Sequence, residues 1–190
     1  MARTYSACLS TVANRGEPPV QFLDELVDWA LEAPDEIFSE RPGADIYSHM
    51  ESVLGPWDGL LHRKSVMLEV LRVLGGYESS WRWEEGRHKK KGEVNTPCTE
   101  EAGIFQCSGN SMGFDSSLVA LFEQASGIAR DCDVFRAVTK ANHRFAIEYC
   151  ARLLRFTTAH HGPIKEHKID KWVRRDAVAE FQSYLVMQNR

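Results

Sequence analysis

A single carboxylate, Glu78, stands in the sequence where a protein can hold a proton donor. The residues from Ser65 to Leu74 carry apolar side chains at helical spacing, and two glycines follow them. This pattern predicts a helix that ends at the glycines, with Glu78 just beyond its end. Tyr77 and Trp81 flank the carboxyl, and such poorly solvated surroundings favour its protonated form near neutral pH. The sequence therefore predicts a general acid that can protonate a leaving-group oxygen.

The segments that follow Glu78 add a second pattern. Two serines come directly after it, then a polar stretch, and then the segment Ala-Gly-Ile-Phe-Gln-Cys-Ser at 102–108. This order resembles the lysozyme superfamily, specifically its goose-type lysozyme and lytic transglycosylase branch. In that branch a catalytic Glu-Ser pair follows a core helix, and a segment like Gly-Ile-Phe-Gln lines the sugar groove. The resemblance covers residues 60–110 well and the rest of the chain only in helical character.

The resemblance implies both a fold and a site. The fold would be mainly α with a little β structure (α+β), a lysozyme-like fold with a long core helix and a small loop or hairpin beside the groove. Glu78 would be the catalytic acid. The residues expected to bind substrate are Trp81, Phe105, Gln106, Ser108 and His161.

Cleavage of a glycosidic bond also needs a second group, opposite the acid, that stabilises the developing positive charge and assists the attacking nucleophile. We expect Glu101 to provide it, because its attachment to Ala102 and Gly103 would fix it near the groove floor. Other acids of the polar stretch remain open for this role, namely Glu84, Glu85, Glu93 and Glu100. If none fills it, the 6-hydroxyl of the sugar attacks instead and the enzyme is a lytic transglycosylase.

Helical patterns dominate the rest of the chain. The spacing of apolar residues predicts helices over 20–33, 46–54, 118–125, 134–140, 146–157 and 172–187. The polar stretch from Glu84 to Pro97 contains turn-forming residues and predicts a loop or small hairpin. Since no repeat or linker interrupts the pattern, we expect residues 1–190 to form a single lysozyme-like catalytic domain.

Composition narrows the possible partners. Hydrophobic residues make up 43% of the chain, enough for a sizeable core, and the net charge of −4 argues against general attraction to nucleic acid. The apolar runs are shorter than the roughly 20 residues that a membrane span needs. We therefore expect neither nucleic acid nor membrane as a partner. His49, His62 and His143 are too scattered to suggest a metal site, so no metal and no cofactor are expected.

Five cysteines do not by themselves define a disulfide framework. Cys98 with Cys107, and Cys132 with Cys150, are two conceivable pairs in an oxidising compartment. Buried free thiols are the alternative.

The resemblance, with Glu78 as the candidate acid, implies a peptidoglycan glycoside hydrolase, a muramidase that cleaves the β-1,4 bond between N-acetylmuramic acid and N-acetylglucosamine. The N-terminal residues lack the apolar run of a signal peptide, so we expect synthesis in the cytoplasm and action in the periplasm or cell wall of a target cell. Small muramidases of this kind resemble antibacterial toxins of type VI secretion, whose partner is an immunity protein that occludes the groove. A phage endolysin, a chitinase or chitosanase, and a non-catalytic glycan- or protein-binding module are the alternatives.

Overall fold

The computed structural model describes residues 3–86, 94 and 96–187. These residues contain eight α-helices and one antiparallel pair of two-residue strands, which confirms the predicted mainly α class. The helices are α1 (Val20–Glu32), α2 (Ile46–Leu54), α3 (Gly59–Ser79), α4 (Ser116–Ser126), α5 (Cys132–Ala141), α6 (His143–Phe156), α7 (Gly162–Lys165) and α8 (Arg175–Met187), and the strands are β1 (Glu101–Ala102) and β2 (Cys107–Ser108).

Helix α3 is the core of the molecule. Every residue from Ser65 to Gly76 is buried, and a helix that is buried on all sides must be surrounded by other elements. Helix α8 packs against it most extensively, and α1, α6 and α7 also contact it. One hydrophobic cluster draws side chains from all eight helices, so the described elements share a common core.

Two charged residues lie inside this core helix. Glu69 and Arg72 have fully buried side chains, and Arg72 donates two hydrogen bonds of 2.7 Å to the Glu69 carboxylate. Arg72 also donates hydrogen bonds to the carbonyls of Ser10 and Trp172, and Glu69 also accepts a hydrogen bond from the backbone amide of Arg174. The pair therefore connects α3 to the segments at Ser10 and at 172–174, and breaking it would leave an uncompensated buried charge.

The predicted end of the core helix was wrong. Helix α3 continues through Gly75 and Gly76, and its last residue is Ser79. Ser80, which has a left-handed φ of 56°, forms the C-cap. A β-carbon on Gly76 would lie 2.5 Å from a ring carbon of Trp81, so this glycine lets the indole lie against the helix. Trp81 is only 5% exposed and donates its indole N–H to the Arg72 carbonyl. Glu78 therefore lies within the last turn of α3 and not beyond it.

Several other helices begin earlier than the apolar spacing predicted. The side chains of Asp115, Asp131 and Asn142 each accept a backbone N–H at the start of α4, α5 and α6, and these caps define the true beginnings. Helix α8 begins at Arg175 rather than at 172, whereas α2 has the predicted bounds. Among the described residues, no helix is both long enough and apolar enough to cross a membrane.

The disulfide pairing differs from both pairs considered above. Cys98 is bonded to Cys132, which joins the segment before β1 to the first residue of α5. Cys107 and Cys150 are buried free thiols, as is Cys8. Neither of the two conceivable pairs forms, and the alternative of buried free thiols holds for Cys8, Cys107 and Cys150.

Candidate functional site

Glu78 extends from the last turn of α3, at the boundary between core and surface. Its side chain is 19% exposed, so the carboxyl is held by the protein and still reaches solvent. On its buried side Oε1 lies 3.7 Å from Nδ1 of His161. The structure thus places the predicted acid beside a histidine, a neighbour that the sequence argument did not assign to it.

The position of His161 is set by its backbone and by its surroundings. It is the residue before α7, and its carbonyl accepts the amides of Ile164 and Lys165 in the first turn of that helix. The residue is 2% exposed. On the side away from Glu78, its Nε2 lies 3.9 Å from Cys107 Sγ and 3.8 Å from Cys150 Sγ. The imidazole therefore lies between one carboxyl and two thiols.

These contacts change the proton affinities of the cluster. Burial alone lowers the pKa of His161, but its contacts with Cys107 and Glu78 outweigh burial and raise the pKa above its ordinary value. The contact with Cys150, together with His161, lowers the pKa of the Cys107 thiol against the effect of burial. Burial raises the pKa of Cys150. The geometry thus favours a positively charged His161 at neutral pH.

The Gly-Ile-Phe-Gln segment forms the turn between the two strands. Gly103 has a φ of 72°, and Gln106 donates both its backbone amide and its side-chain amide to the Gly103 carbonyl. A β-carbon on Gly103 would lie 2.8 Å from the side chain of Thr139, so only glycine lets the turn approach α5 this closely. The turn brings Cys107, at the start of β2, to His161.

Glu101 lies on a different side of this hairpin. The register pairs Glu101 with Ser108 and Ala102 with Cys107, and successive side chains of a strand point to opposite faces. Glu101 is exposed and lines a surface depression of about 190 Å³ beside α5. Since Cys107 faces His161, the pairing places Glu101 on the hairpin face opposite the cluster that contacts Glu78. This is not the arrangement expected of a second catalytic carboxylate.

The other acids considered for the second role lie elsewhere. Glu100 pairs with Arg136 of α5, and Glu85 pairs with Arg82. Glu84 is exposed. Glu93 lies outside the described residues.

All five residues expected to bind substrate are buried. Phe105 is 0% exposed and packs against Phe22, while Gln106 is 3% and Ser108 is 4% exposed. The Ser108 hydroxyl donates to the side chain of Asn110. These side chains and Trp81 present almost no surface, and their contact with a substrate stays a prediction. His161 is the member of the predicted set that the structure places in contact with Glu78.

Two groups of residues able to ligate a metal were not predicted from the sequence. One is His49 with His167 and Asp170, whose ligand atoms lie within 4.8 Å of one another, and the other lies beside Glu78. One nitrogen of His160, one nitrogen of His161 and the Cys107 sulfur lie within 4.8 Å of one another. The two histidines are adjacent in the sequence, but Cys107 joins them only through folding. No local spacing pattern would have revealed this group, because motifs for metal sites rely on ligands a few residues apart.

A larger cavity lies away from this cluster. It has a volume of about 450 Å³ and is lined in part by Arg41, Arg152 and Arg155. These arginines are engaged with protein groups: Arg41 donates to the Arg155 carbonyl, and Arg155 pairs with Asp45. Arg152 pairs with two glutamates. We assign this cavity no role.

Comparison of the chain with known protein families, with curated proteins and with solved structures finds no significant match. We therefore infer the function from the chemistry of Glu78 and its neighbours.

Proposed function

We propose that this protein is a peptidoglycan glycoside hydrolase of the lysozyme kind, a muramidase, with Glu78 as its general acid. The observation that carries the proposal is the position of Glu78, a partly exposed carboxyl on the last turn of a helix that is buried from Ser65 to Gly76. A general acid must reach the substrate and yet be held in a fixed direction. The exposed edge of the carboxyl can reach a substrate, and the core helix holds the side chain in a fixed direction.

The neighbouring hairpin supports the same proposal. In the expected lysozyme-like arrangement, a Gly-Ile-Phe-Gln segment lies beside the catalytic helix. Here that segment forms a tight turn, and the residue after it, Cys107, contacts the histidine that contacts Glu78. The hairpin is thus linked to the proposed acid through His161.

In the proposed reaction, Glu78 donates its proton to the oxygen between N-acetylmuramic acid and N-acetylglucosamine as the bond from that oxygen to muramic acid C1 breaks. Positive charge develops on the muramic acid ring, and a nucleophile attacks C1. In the hydrolase, the oxygen of a water molecule bonds to C1 and leaves a reducing muramic acid end, and the proton that this water loses returns through solvent to the Glu78 carboxylate. We propose an antibacterial effector as the biological setting, with an immunity protein as the partner that covers Glu78.

A lytic transglycosylase is the second candidate, and the position of Glu101 favours it. If no second carboxylate faces the site, Glu78 acts twice: it donates its proton to the leaving oxygen and then accepts the proton of the muramic acid 6-hydroxyl. That hydroxyl attacks C1 of the same sugar and forms a 1,6-anhydro ring. No water is consumed, so one carboxyl suffices for the whole reaction.

Incubation of the purified protein with peptidoglycan sacculi and, in parallel, with chitin tests the proposal. We expect soluble muropeptides from the sacculi, with no release from chitin. Mass spectrometry separates the two candidates, because an anhydro product is lighter by one water than a reducing product. Release from chitin alone would identify a chitinase, and release from neither polymer would leave a non-catalytic binding module.

A further inference from the structure

We propose that His49, His167 and Asp170 form a binding site for Zn²⁺ or a related divalent transition-metal ion. One ring nitrogen of each histidine and one carboxylate oxygen of Asp170 lie within 4.8 Å of one another. We call these three side chains the His49 group. None of them takes part in the proposed reaction of Glu78, so the inference does not depend on the proposed function.

The fold brings the His49 group together from two distant parts of the chain. His49 lies in α2, and the other two residues follow α7 in the segment that leads to α8. The backbone amide of His167 donates a hydrogen bond of 2.9 Å to the Ile164 carbonyl, which fixes the turn after α7. Ile169, directly before Asp170, is fully buried and anchors the segment to the core. Both parts of the site are therefore held in place by the protein itself.

Two buried atoms of the His49 group lack a hydrogen-bond partner among the described residues. They are His49 Nε2 and Asp170 Oδ1, and they lie 3.9 Å apart. The two side chains are only 11% and 22% exposed. A separation of 3.9 Å is too long for a hydrogen bond between nitrogen and oxygen. Because buried polar atoms in folded proteins normally have partners, this pair of atoms points to a missing ligand between them.

The distance between the two atoms suits a transition-metal ion. Zinc binds a histidine nitrogen at about 2.0–2.1 Å and a carboxylate oxygen at about 2.0–2.2 Å. Two such ligands of a tetrahedral ion therefore lie about 3.4 Å from each other. The observed separation of His49 Nε2 and Asp170 Oδ1 is 3.9 Å, and small rotations of the two side chains close the difference.

His167 supplies the third ligand from the solvent side of the site. Its side chain is 61% exposed, so an ion can approach it from solution. Its Nδ1 donates a hydrogen bond of 2.8 Å to Asp170 Oδ2, which leaves Oδ1 as the oxygen that faces an ion. Its ring is stacked on the His49 ring, with centroids 4.1 Å apart and an interplanar angle of 15°. Since two parallel rings cannot both direct a lone pair at one ion, ion binding turns the exposed His167 ring out of the stack.

The donor atoms determine the class of ion. Imidazole nitrogen suits zinc and other transition metals, whereas Mg²⁺ and Ca²⁺ prefer a set of oxygen ligands, and the His49 group offers one carboxylate. A zinc ion with three protein ligands keeps a fourth position for water. An ion at this place would join α2 to the segment between α7 and α8. Because it would bind the folded protein, it would raise the thermal midpoint.

Calorimetric titration with Zn²⁺, together with the thermal midpoint in its presence and absence, tests the proposal. We expect the wild type to bind Zn²⁺ and to gain thermal stability from it. His49→Gln, His167→Gln and Asp170→Asn should each weaken binding by at least about 10-fold, because loss of even an outer partner of a metal ligand costs about 10- to 100-fold in affinity. His143→Gln is the matched control, since His143 is a half-buried histidine that pairs with Glu25. The control should bind Zn²⁺ as the wild type does.

A further variant separates this site from the other group of possible ligands. Cys107→Ala removes the thiol of the group that includes His160 and His161. We expect this variant to keep the Zn²⁺ site of the His49 group.

Three results would overturn the proposal. They are the absence of Zn²⁺ binding by the wild type, the loss of all Zn²⁺ binding in Cys107→Ala, and wild-type affinity in both His167→Gln and Asp170→Asn. The last two substitutions are at partly exposed side chains, so the test does not depend on the folding of His49→Gln. Metal binding rather than muropeptide release is measured, so a negative result leaves the proposed function of Glu78 unchanged.

Discussion

The pKa values of the adjacent residues His160 and His161 shift in opposite directions because the two side chains have different neighbours. Burial, together with the nearby His161, lowers the pKa of His160 to about 3. The contacts of His161 with Cys107 and Glu78 raise its pKa instead. The His160 Nε2 atom is buried and has no hydrogen-bond partner in the described structure. At neutral pH these shifts favour the neutral form of His160 and the charged form of His161.

The neutral state of His160 has a consequence for stability in acid. Its folded-state pKa of about 3 lies below the ordinary value of 6.5. Below that ordinary value the unfolded chain takes up a proton that the folded protein does not, so folding stability falls as the pH falls. We expect His160→Gln to lose less stability than the wild type between about pH 7 and about pH 4, measured as the thermal midpoint at each pH.

The control for this prediction is His143→Gln, which removes a partly exposed histidine. It should keep the acid loss of the wild type. An equal acid loss in His160→Gln and in the wild type would contradict the assignment of that loss to His160.

The candidate site was predictable from the sequence only where its residues are close together. The apolar run before Glu78 and the segment after it were sufficient to select the carboxyl. His161 was expected at the groove, but its contact with Glu78 depends on α3 and α7 meeting in the fold. The thiols of Cys107 and Cys150 join the same cluster from two further elements, and no spacing rule connects them.

At the scale of elements, the core helix shows why a pair of glycines does not by itself predict the end of a helix. Glycines end helices because they adopt left-handed backbone angles, and they also allow another group to approach a helix closely. Gly75 and Gly76 remain helical here, and the left-handed residues are Ser80 and Trp81. The sequence predicted that this helix exists but not where it ends, because it could not show that an indole would lie against Gly76.

Substitution of these two glycines separates the effects. Gly76→Ala would place a β-carbon 2.5 Å from the Trp81 ring, and we expect it to destabilise the protein by about 1–3 kcal/mol. Gly75→Ala is the matched control, because its β-carbon would meet neighbours no closer than 3.4 Å. The control should be near neutral, since alanine also favours the helix. Thermal or urea unfolding of both variants measures the difference, and equal stabilities would contradict the packing role of Gly76.

The hairpin was predicted only in outline. The sequence suggested a loop or hairpin between Glu84 and Pro97, and residues 87–93 and 95 of that stretch lie outside the described residues. The strands themselves occur later, at 101–102 and 107–108. Such short strands carry no alternating pattern that a sequence could display, so their register and the face of Glu101 depended on the structure.

At the scale of the whole molecule, one disulfide ties the hairpin region to the helices. The Cys98–Cys132 bond closes a loop with a sequence separation of 34 residues, and it joins the approach to β1 with α5. A crosslink of this length restricts the unfolded chain and so favours the folded state. Sequence alone allowed several pairings of the five cysteines, and only the fold selects among them.

Thiol counting by mass spectrometry tests this pairing. After unfolding without a reductant, alkylation should modify the three free cysteines, and after reduction it should modify all five. Replacement of Cys98 and Cys132 together by serine should lower the free energy of unfolding by about 2–4 kcal/mol. Five modified cysteines without reduction would contradict the disulfide. The same replacement at Cys8 serves as the control for a buried thiol outside the crosslink.

The central claim is that Glu78 is the general acid of a peptidoglycan glycosidase, and the most direct measurement compares muropeptide release by the wild type and by Glu78→Gln. The variant has almost the same shape but cannot donate a carboxyl proton, and its thermal midpoint should stay close to that of the wild type. General acid catalysis contributes on the order of 10²- to 10⁴-fold, so we expect release from sacculi to fall by at least about 100-fold. Glu84→Gln, at an exposed residue of the following stretch, should cleave as the wild type does. If a folded Glu78→Gln retains more than about a tenth of the wild-type release, Glu78 is not the general acid.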